Sequence, residues 1–232
     1  MKARDWDRLA AAYGDEVCDI FVRDRKRVIA RWLRTRGLLR GGKTLLDIGC
    51  GIGSFIRQYG RFFTAIVGCD HSRRMLRIAT TRCRGLRHCT WLPADVQRLP
   101  SAWHGRSDLV VCANVITFVS PAACRRALKQ VIGCARPRGH VLLILPALES
   151  HDAVVTFETG RPAPRRLDTA VVRRDDRMQR FYAEAGARKL AAQAGLRSVE
   201  VRKVWYPWSD EGVGRTPRGL ELPWDWLVTG RR

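Results

Sequence analysis

Three acids and three glycines are placed in this sequence where they can do chemistry together. Asp47-Ile-Gly-Cys-Gly-Ile-Gly53 gathers Gly49, Gly51 and Gly53 into a short loop directly after the apolar run Thr44 to Ile48. Glycine there lets the chain turn tightly and lets a ligand approach with no Cβ in the way. Asp70 follows the next apolar run, Ala65 to Cys69, about twenty residues further on, where a carboxylate can accept both hydrogens of a ribose diol. Asp95, within Pro93-Ala-Asp-Val96, follows a third run and can accept from an exocyclic amino group. Asn114 and Val115 follow a fourth, Asp108 to Ala113, and would close over the same ligand. One acid after a strand is ordinarily a solvated loop residue. Acids after three successive strands point to a shared ligand.

Such placement needs a parallel sheet to bring the strand ends to one edge. The strongly β-like runs are Thr44–Ile48, Ala65–Cys69, His88–Leu92, Asp108–Ala113 and His140–Leu145, with Ser198–Trp205 and Leu222–Thr229 as two final strands. Amphipathic stretches alternate with them. Val22, Ile29, Trp32 and Leu33 line one side of a helix ending near Gly37, and Ser72 caps a helix carrying Met75, Leu76 and Ala79. Ala123, Ala127, Val131 and Ala135 have helical spacing, as do Ala187, Leu190, Ala191 and Ala194 before Gly195. The expected fold is a doubly wound, mainly parallel seven-stranded sheet with helices on both faces. Residues 1–232 read as a single domain, with a helical cap over residues 1–40 and an insertion over residues 146–180 that is too long for an ordinary connection.

At these residues the sequence resembles the class I S-adenosylmethionine-dependent methyltransferases. The resemblance rests on DxGCGxG at Asp47–Gly53, GxDxSxxML at Gly68–Leu76, the Ala94-Asp95 step and the segment Asp108–Val119. It implies S-adenosyl-L-methionine as cofactor, with Gly49 and Gly51 facing the methionine part and Asp47 holding its amino group. Asp70 would take the ribose hydroxyls, Met75 would pack on the adenine, and Asp95 and the Val96 backbone would meet the adenine edge. Tyr13, in a stretch that resembles the family's N-terminal motif, would lie over the methionine end; the alternative is a packed surface tyrosine. A nicotinamide enzyme is disfavoured, because the loop is GxGxG rather than GxGxxG and the third acid has no part in holding a dinucleotide.

Methyl transfer from a sulfonium has a neutral leaving group, so alignment supplies much of the rate, and a base is needed only when the acceptor must lose a proton. Beyond the strand ends the sequence offers His151, Glu149, Glu158 and Tyr182. His151 is preferred, since an imidazole titrates near working pH. The acceptor is expected between the 146–180 insertion, acting as a lid, and Trp205-Tyr-Pro-Trp208, with Tyr182, Tyr206 and Trp208 as its lining. In the competing arrangement these tryptophans complete the core, Trp205 ahead of Trp208. The acceptor type is narrowed by what the fourth strand lacks: Cys112-Ala-Asn-Val115 is not the (D/N)PP(Y/F/W) of adenine amino-methylating enzymes, and no Pro-Cys pair offers a nucleophile of the 5-methylcytosine kind. A small organic acceptor is favoured.

Lys and Arg number 43 against 22 acids, giving +21, but only six are lysines and they are scattered, without aromatics at regular intervals. Dispersed charge of this kind serves solubility and anion attraction rather than one nucleic-acid surface, although an RNA or protein methyltransferase stays open as the alternative. So does a regulatory protein that binds the cofactor without turnover. The eight cysteines include no CxxC pair, so reduced, mostly buried thiols are expected rather than a metal site. No apolar run reaches the ~20 residues of a membrane span, and the start lacks a signal-peptide core, which together point to the cytoplasm.

Overall fold

The computed structural model describes residues 19–164, 168–174, 177–214 and 216–232. Seven strands form one sheet: β1 (Lys43–Ile48), β2 (Phe63–Asp70), β3 (Cys89–Pro93), β4 (Ser107–Ala113), β5 (Ala135–Pro146), β8 (Arg197–Trp205) and β9 (Trp224–Arg231). Their spatial order is β3-β2-β1-β4-β5-β9-β8. Strands β1 to β5 pair in parallel, whereas β9 runs antiparallel to both β5 and β8. The expected architecture is therefore present, with one antiparallel strand near one edge.

The central strands are apolar almost throughout because both their faces are covered. Leu45, Leu109, Val111, Leu142 and Ile144 face one layer, with Ile29, Trp32, Leu33, Phe55 and Ile56. Their neighbours Leu46, Val110, Cys112, Val141 and Leu143 face the other, with Leu128, Val131, Leu190 and Ala191. Period-two alternation thus divides one run of hydrophobics between two cores.

The expected N-terminal helix is broken in two, α1 (Ile20–Arg23) and α2 (Val28–Thr35). The Asp24 carboxylate accepts the Ile29 N–H at 2.9 Å and Arg27 takes a left-handed φ of 52°, so the chain stops and restarts within four residues. Val22 consequently faces solvent, 65% exposed, instead of joining Ile29, Trp32 and Leu33. Helix α3 (Ser54–Tyr59) follows the glycine loop, and α4 (Arg73–Arg82) is capped by the Ser72 hydroxyl, which accepts from the Met75 N–H at 3.1 Å. Helix α5 (Pro121–Cys134) joins β4 to β5.

The insertion after β5 contains regular structure: helix α6 (Leu148–Thr159) and an antiparallel hairpin, β6 (Thr169–Arg174) with β7 (Arg177–Tyr182). Helix α7 (Glu184–Gln193) then leads into β8. Arg180 is buried and fixes this hairpin to the segment after β4. Its guanidinium donates to the Phe118 carbonyl (3.1 Å), the Val119 carbonyl and the Thr169 hydroxyl (2.7 Å), and its own N–H reaches the Thr117 carbonyl. Hydrogen bonds from a charged donor contribute roughly 1.5–3 kcal/mol each when intact, and their loss leaves buried carbonyls unmet. Arg180→Ala is expected to cost about 2–4 kcal/mol and to speed amide exchange across residues 169–182 ahead of the central strands. Uniform exchange over the whole chain would show that the latch does not hold the hairpin.

Candidate active site

Strand order reverses between β1 and β4, and the crevice beyond their carboxyl ends is the natural ligand position of such a sheet. A cleft of about 40 Å³ lies there, lined in part by Asp19, Asp47, Gly49, Cys50, Ser54 and Asn114. The loop turns through three left-handed glycines: Gly49 at φ 70°, Gly51 at 53° and Gly53 at 78°. Gly49 and Cys50 donate their N–H groups to the Cys69 carbonyl, pinning the loop to the end of β2. A Cβ on Gly49 would stand 2.2 Å from a Val115 methyl, so glycine is required there by close approach of the β4 segment. Gly53 has a different task, because a Cβ there would press on Ala79, Cys83 and Trp91. It lets α3 leave the loop against α4 and β3.

Asp47 is only 2% exposed and its Oδ2 atom has no hydrogen-bond partner among the described residues. Asn114, in a left-handed φ of 54°, donates from Nδ2 to Asp225 at 3.3 Å while its own Oδ1 is buried and unmet. Two orphaned acceptors in one cleft are costly unless a ligand supplies donors. Burial, then the negative charges of Asp70 and Asp19, push the Asp47 carboxyl up to about 8. A cationic amino group is the complement that would ionise it. The acids of this cleft are thus concentrated inside a chain of net charge +21.

Asp70 is buried, and its carboxylate accepts from the Gly51 N–H (3.0 Å) and the Ser72 N–H (2.8 Å). His71 lies 3.4 Å from it, and that hydrogen bond is the main reason the imidazole pKa is raised. The glycine loop and Asp70 are therefore one bonded unit. Met75 is buried against Ile52 and Ile78 beside this unit. Asp95 is exposed and its Oδ1 accepts from the Gln97 N–H at 2.9 Å, while Val96 is buried in the core below α5.

The expected acceptor residues fare differently. Tyr182 is buried, donates to the Ile116 carbonyl at 2.6 Å, and its phenol is held far above its ordinary range by burial. It is a core residue at the end of β7, not a lining one, and no base. Tyr206 is buried too, with its hydroxyl on Glu211 at 2.8 Å. Trp208 is 1% exposed, packs on Phe157 and donates to the Glu221 carbonyl. Trp205 is the half-buried member, with Lys26 over its ring. The expected ranking of the two tryptophans is thereby reversed. Strand β8 ends with Trp205, so the chain then turns inward under α6. Glu149 is occupied accepting the Glu184 N–H at the start of α7, and Glu158 is exposed near the end of α6. His151 is half-buried on the first turn of α6 with its ring 4.6 Å from Phe181. Tyr13 lies outside the described residues.

Sequence reasoning missed Asp19, whose carboxylate accepts from the Ser54 hydroxyl at the cleft, and Asp225, which holds Asn114. Asp225 stands at the start of an antiparallel strand, where the pattern of acids after parallel strands gave no signal. The free cysteines are buried or half-buried, and burial raises Cys50, Cys69 and Cys112 well above the thiol range, so they are poor nucleophiles. Among the described residues no three His, Cys, Asp or Glu groups gather as a metal site would require.

Residues 45–139, which include the loop, Asp70, Asp95 and Asn114, match the profile of a methyltransferase domain family. Over that stretch the chain resembles methyltransferase domains. It is 38% identical over 65 residues to a demethylmenaquinone methyltransferase of Tropheryma whipplei, covering 27% of each chain. It is 26% identical over 113 residues to a ubiquinone biosynthesis O-methyltransferase of Acinetobacter baumannii, covering 47% of this chain and 46% of that one. The chain thus spans between a quarter and half the length of the curated relatives it matches. In fold it resembles magnesium protoporphyrin IX methyltransferase of Synechocystis with bound S-adenosylhomocysteine, at a TM-score of 0.66, 17% identity and coverage of 99% and 94%.

The Asp47 proton makes a prediction about the ligand-free protein. Its folded-state pKa lies above the ordinary carboxylate value, so the stabilisation it gives is complete below about pH 4 and is lost as the pH rises toward 8. Asp47→Asn removes that dependence. Its melting temperature should gain on the native protein between pH 5 and pH 8.5 by several degrees, at about 2–4 °C per kcal/mol for a chain of this size. Parallel curves would show that Asp47 is ionised throughout.

Proposed function

We propose that this protein transfers the methyl group of S-adenosyl-L-methionine to a small organic acceptor. The observation that carries the reading is the buried, unmet Asp47 carboxylate under the glycine loop, at the switch point of the sheet. Asp47, with the orphaned Asn114 oxygen, suits the amino group of the methionine part; it would ionise and release a proton as that cation arrives. Asp70 is held rigidly by two backbone N–H groups and keeps lone pairs for a ribose diol. Met75 and Ile52 supply apolar surface, and Asp95 leaves Oδ2 for the adenine amino group. When bound, the cofactor supplies a methyl on a sulfonium with a neutral leaving group, so the protein's task is to align the acceptor and exclude water. The α6 helix and β6–β7 hairpin, arising at the carboxyl edge after β5, are suited to act as the lid, with His151 as base if the acceptor needs one. The names of the relatives, directed at quinone precursors and a porphyrin, favour a small acceptor over RNA or protein. No described helix is long and apolar enough to cross a membrane, and seven described cysteines are unpaired, which supports a cytoplasmic place.

Calorimetry with S-adenosylhomocysteine tests the cofactor half. Asp70→Ala should weaken binding by about 1.5–3 kcal/mol, roughly 10- to 150-fold, and unchanged affinity in a folded variant would remove Asp70 from the site. Incubation with methyl-labelled cofactor and fractionated extract tests the acceptor half, with label expected in small molecules. Label in RNA or protein would redirect the reading, and binding without any transfer would make this a regulatory cofactor binder. With an acceptor in hand, His151→Ala should lower kcat by about 10²–10⁴-fold with cofactor affinity intact. An unaltered kcat would leave alignment alone to drive the reaction.

A further inference from the structure

A second cavity, of about 110 Å³, lies at the opposite end of the sheet from the cofactor cleft. Five cations line it: Arg36 after α2, Lys43 opening β1, Arg136 and Arg138 at the start of β5, and Arg231 ending β9. Lys43 and Ile48 are the two ends of one strand, so the two sites are separated by about 16 Å at ~3.3 Å per residue. Asp108 is the single acid in the lining, and its charge is already committed. It accepts from the Thr44 N–H and hydroxyl and pairs with Arg136 at 2.6 Å. Arg36 pairs with Glu200, which also serves Arg202. Lys43, Arg138 and Arg231 have no carboxylate partner among the described residues.

The backbone aims these side chains. Ser107 pairs with Ala135 and Leu109 with His140, so β5 spends five residues where β4 spends two. The four residues Arg136-Pro137-Arg138-Gly139 face Asp108 alone, so three are surplus and the segment is extruded as a bulge, a device that redirects side chains beside functional sites. Arg138 sits within it at φ 62°, a left-handed conformation unfavourable for arginine. Gly139 is obligatory, because a Cβ would stand 2.8 Å from the Arg136 carbonyl. His140 reports the resulting field: burial, then Arg231, Arg36, Lys43 and Arg136, lower its pKa to about 4, so it is a neutral ring at the cavity wall. Two of the five cations are paired with Asp108 and Glu200, and the remaining three, gathered around a concave, phosphate-sized space, call for an anion.

We infer that this cavity is an anion site, separate from the cofactor cleft, that binds a phosphate group through Lys43, Arg138 and Arg231. The group is either free phosphate or the terminal phosphate of a small monoester; the two share the same recognition chemistry.

The test uses the full chain at pH 7 and constant ionic strength. Inorganic phosphate, glycerol 3-phosphate and chloride are titrated separately while the Gly139 amide and His140 ring resonances are followed by NMR. Saturable shifts at these positions are expected with phosphate and absent with chloride. Tighter binding of glycerol 3-phosphate identifies a monoester as the ligand, whereas tighter binding of inorganic phosphate identifies the free ion. Arg138→Gly is the informative variant, since glycine accepts the left-handed backbone and the protein should be at least as stable. It should weaken phosphate binding about tenfold or more, as should Arg231→Ala, with S-adenosylhomocysteine affinity unchanged in both. Shifts that follow chloride equally would overturn the site, as would undiminished phosphate binding in both variants. Binding of duplex RNA that lowers with salt, without any phosphate saturation, would replace it with a general basic surface.

Discussion

Asp47 lies near the end of β1 at the floor of the cleft, only 2% exposed, and the surrounding elements are arranged around that constraint. A carboxylate in such a place must either keep a proton or be met by a cation, and the neighbouring Asp70 and Asp19 make the ionised form still less favourable. The glycine loop leaves room above it, the β4 segment brings Val115 down to Gly49, and Asp70 holds the loop from the other side through Gly51. Buried polar groups left unmet in this way are kept in proteins at a loss of stability, which is repaid when the ligand arrives.

The parts legible in the sequence were those fixed by local chemistry. Asp47–Gly53, Asp70 and the Ser72 cap occupy positions dictated by the turn out of a parallel strand, and the alternation of apolar runs revealed the sheet. What escaped was decided by distant contacts. Val22 has helical spacing with Ile29, but Asp24 breaks the helix between them by capping the second half. Tyr206 and Trp208 have the composition of a ligand-binding lining, yet Phe157 of α6 packs on Trp208 and Tyr206 is buried in the core cluster that holds Ile20 and Phe21, and nothing near them in sequence announces that cover. The hairpin was hidden because its strands carry arginines where apolar residues would signal pairing. One of those, Arg180, is buried because the chain after β4 offers it carbonyl oxygens. Asp225 is invisible for a similar reason: its partner Asn114 arrives from the far side of β5.

The position of β9 has a consequence for how the molecule assembles. Strand β8 is made before β9 and, among the described residues, pairs with β9 alone, so it joins the sheet only through the pairing of β9 with β5. That pairing joins His140 to Arg231 across a long loop of chain, and contacts so remote in sequence are entropically slow to form. It also carries Arg231 toward Lys43, Arg136 and Arg138. Docking of β9 on β5 therefore gathers like charges at that end of the sheet, a repulsion that dissolved ions screen.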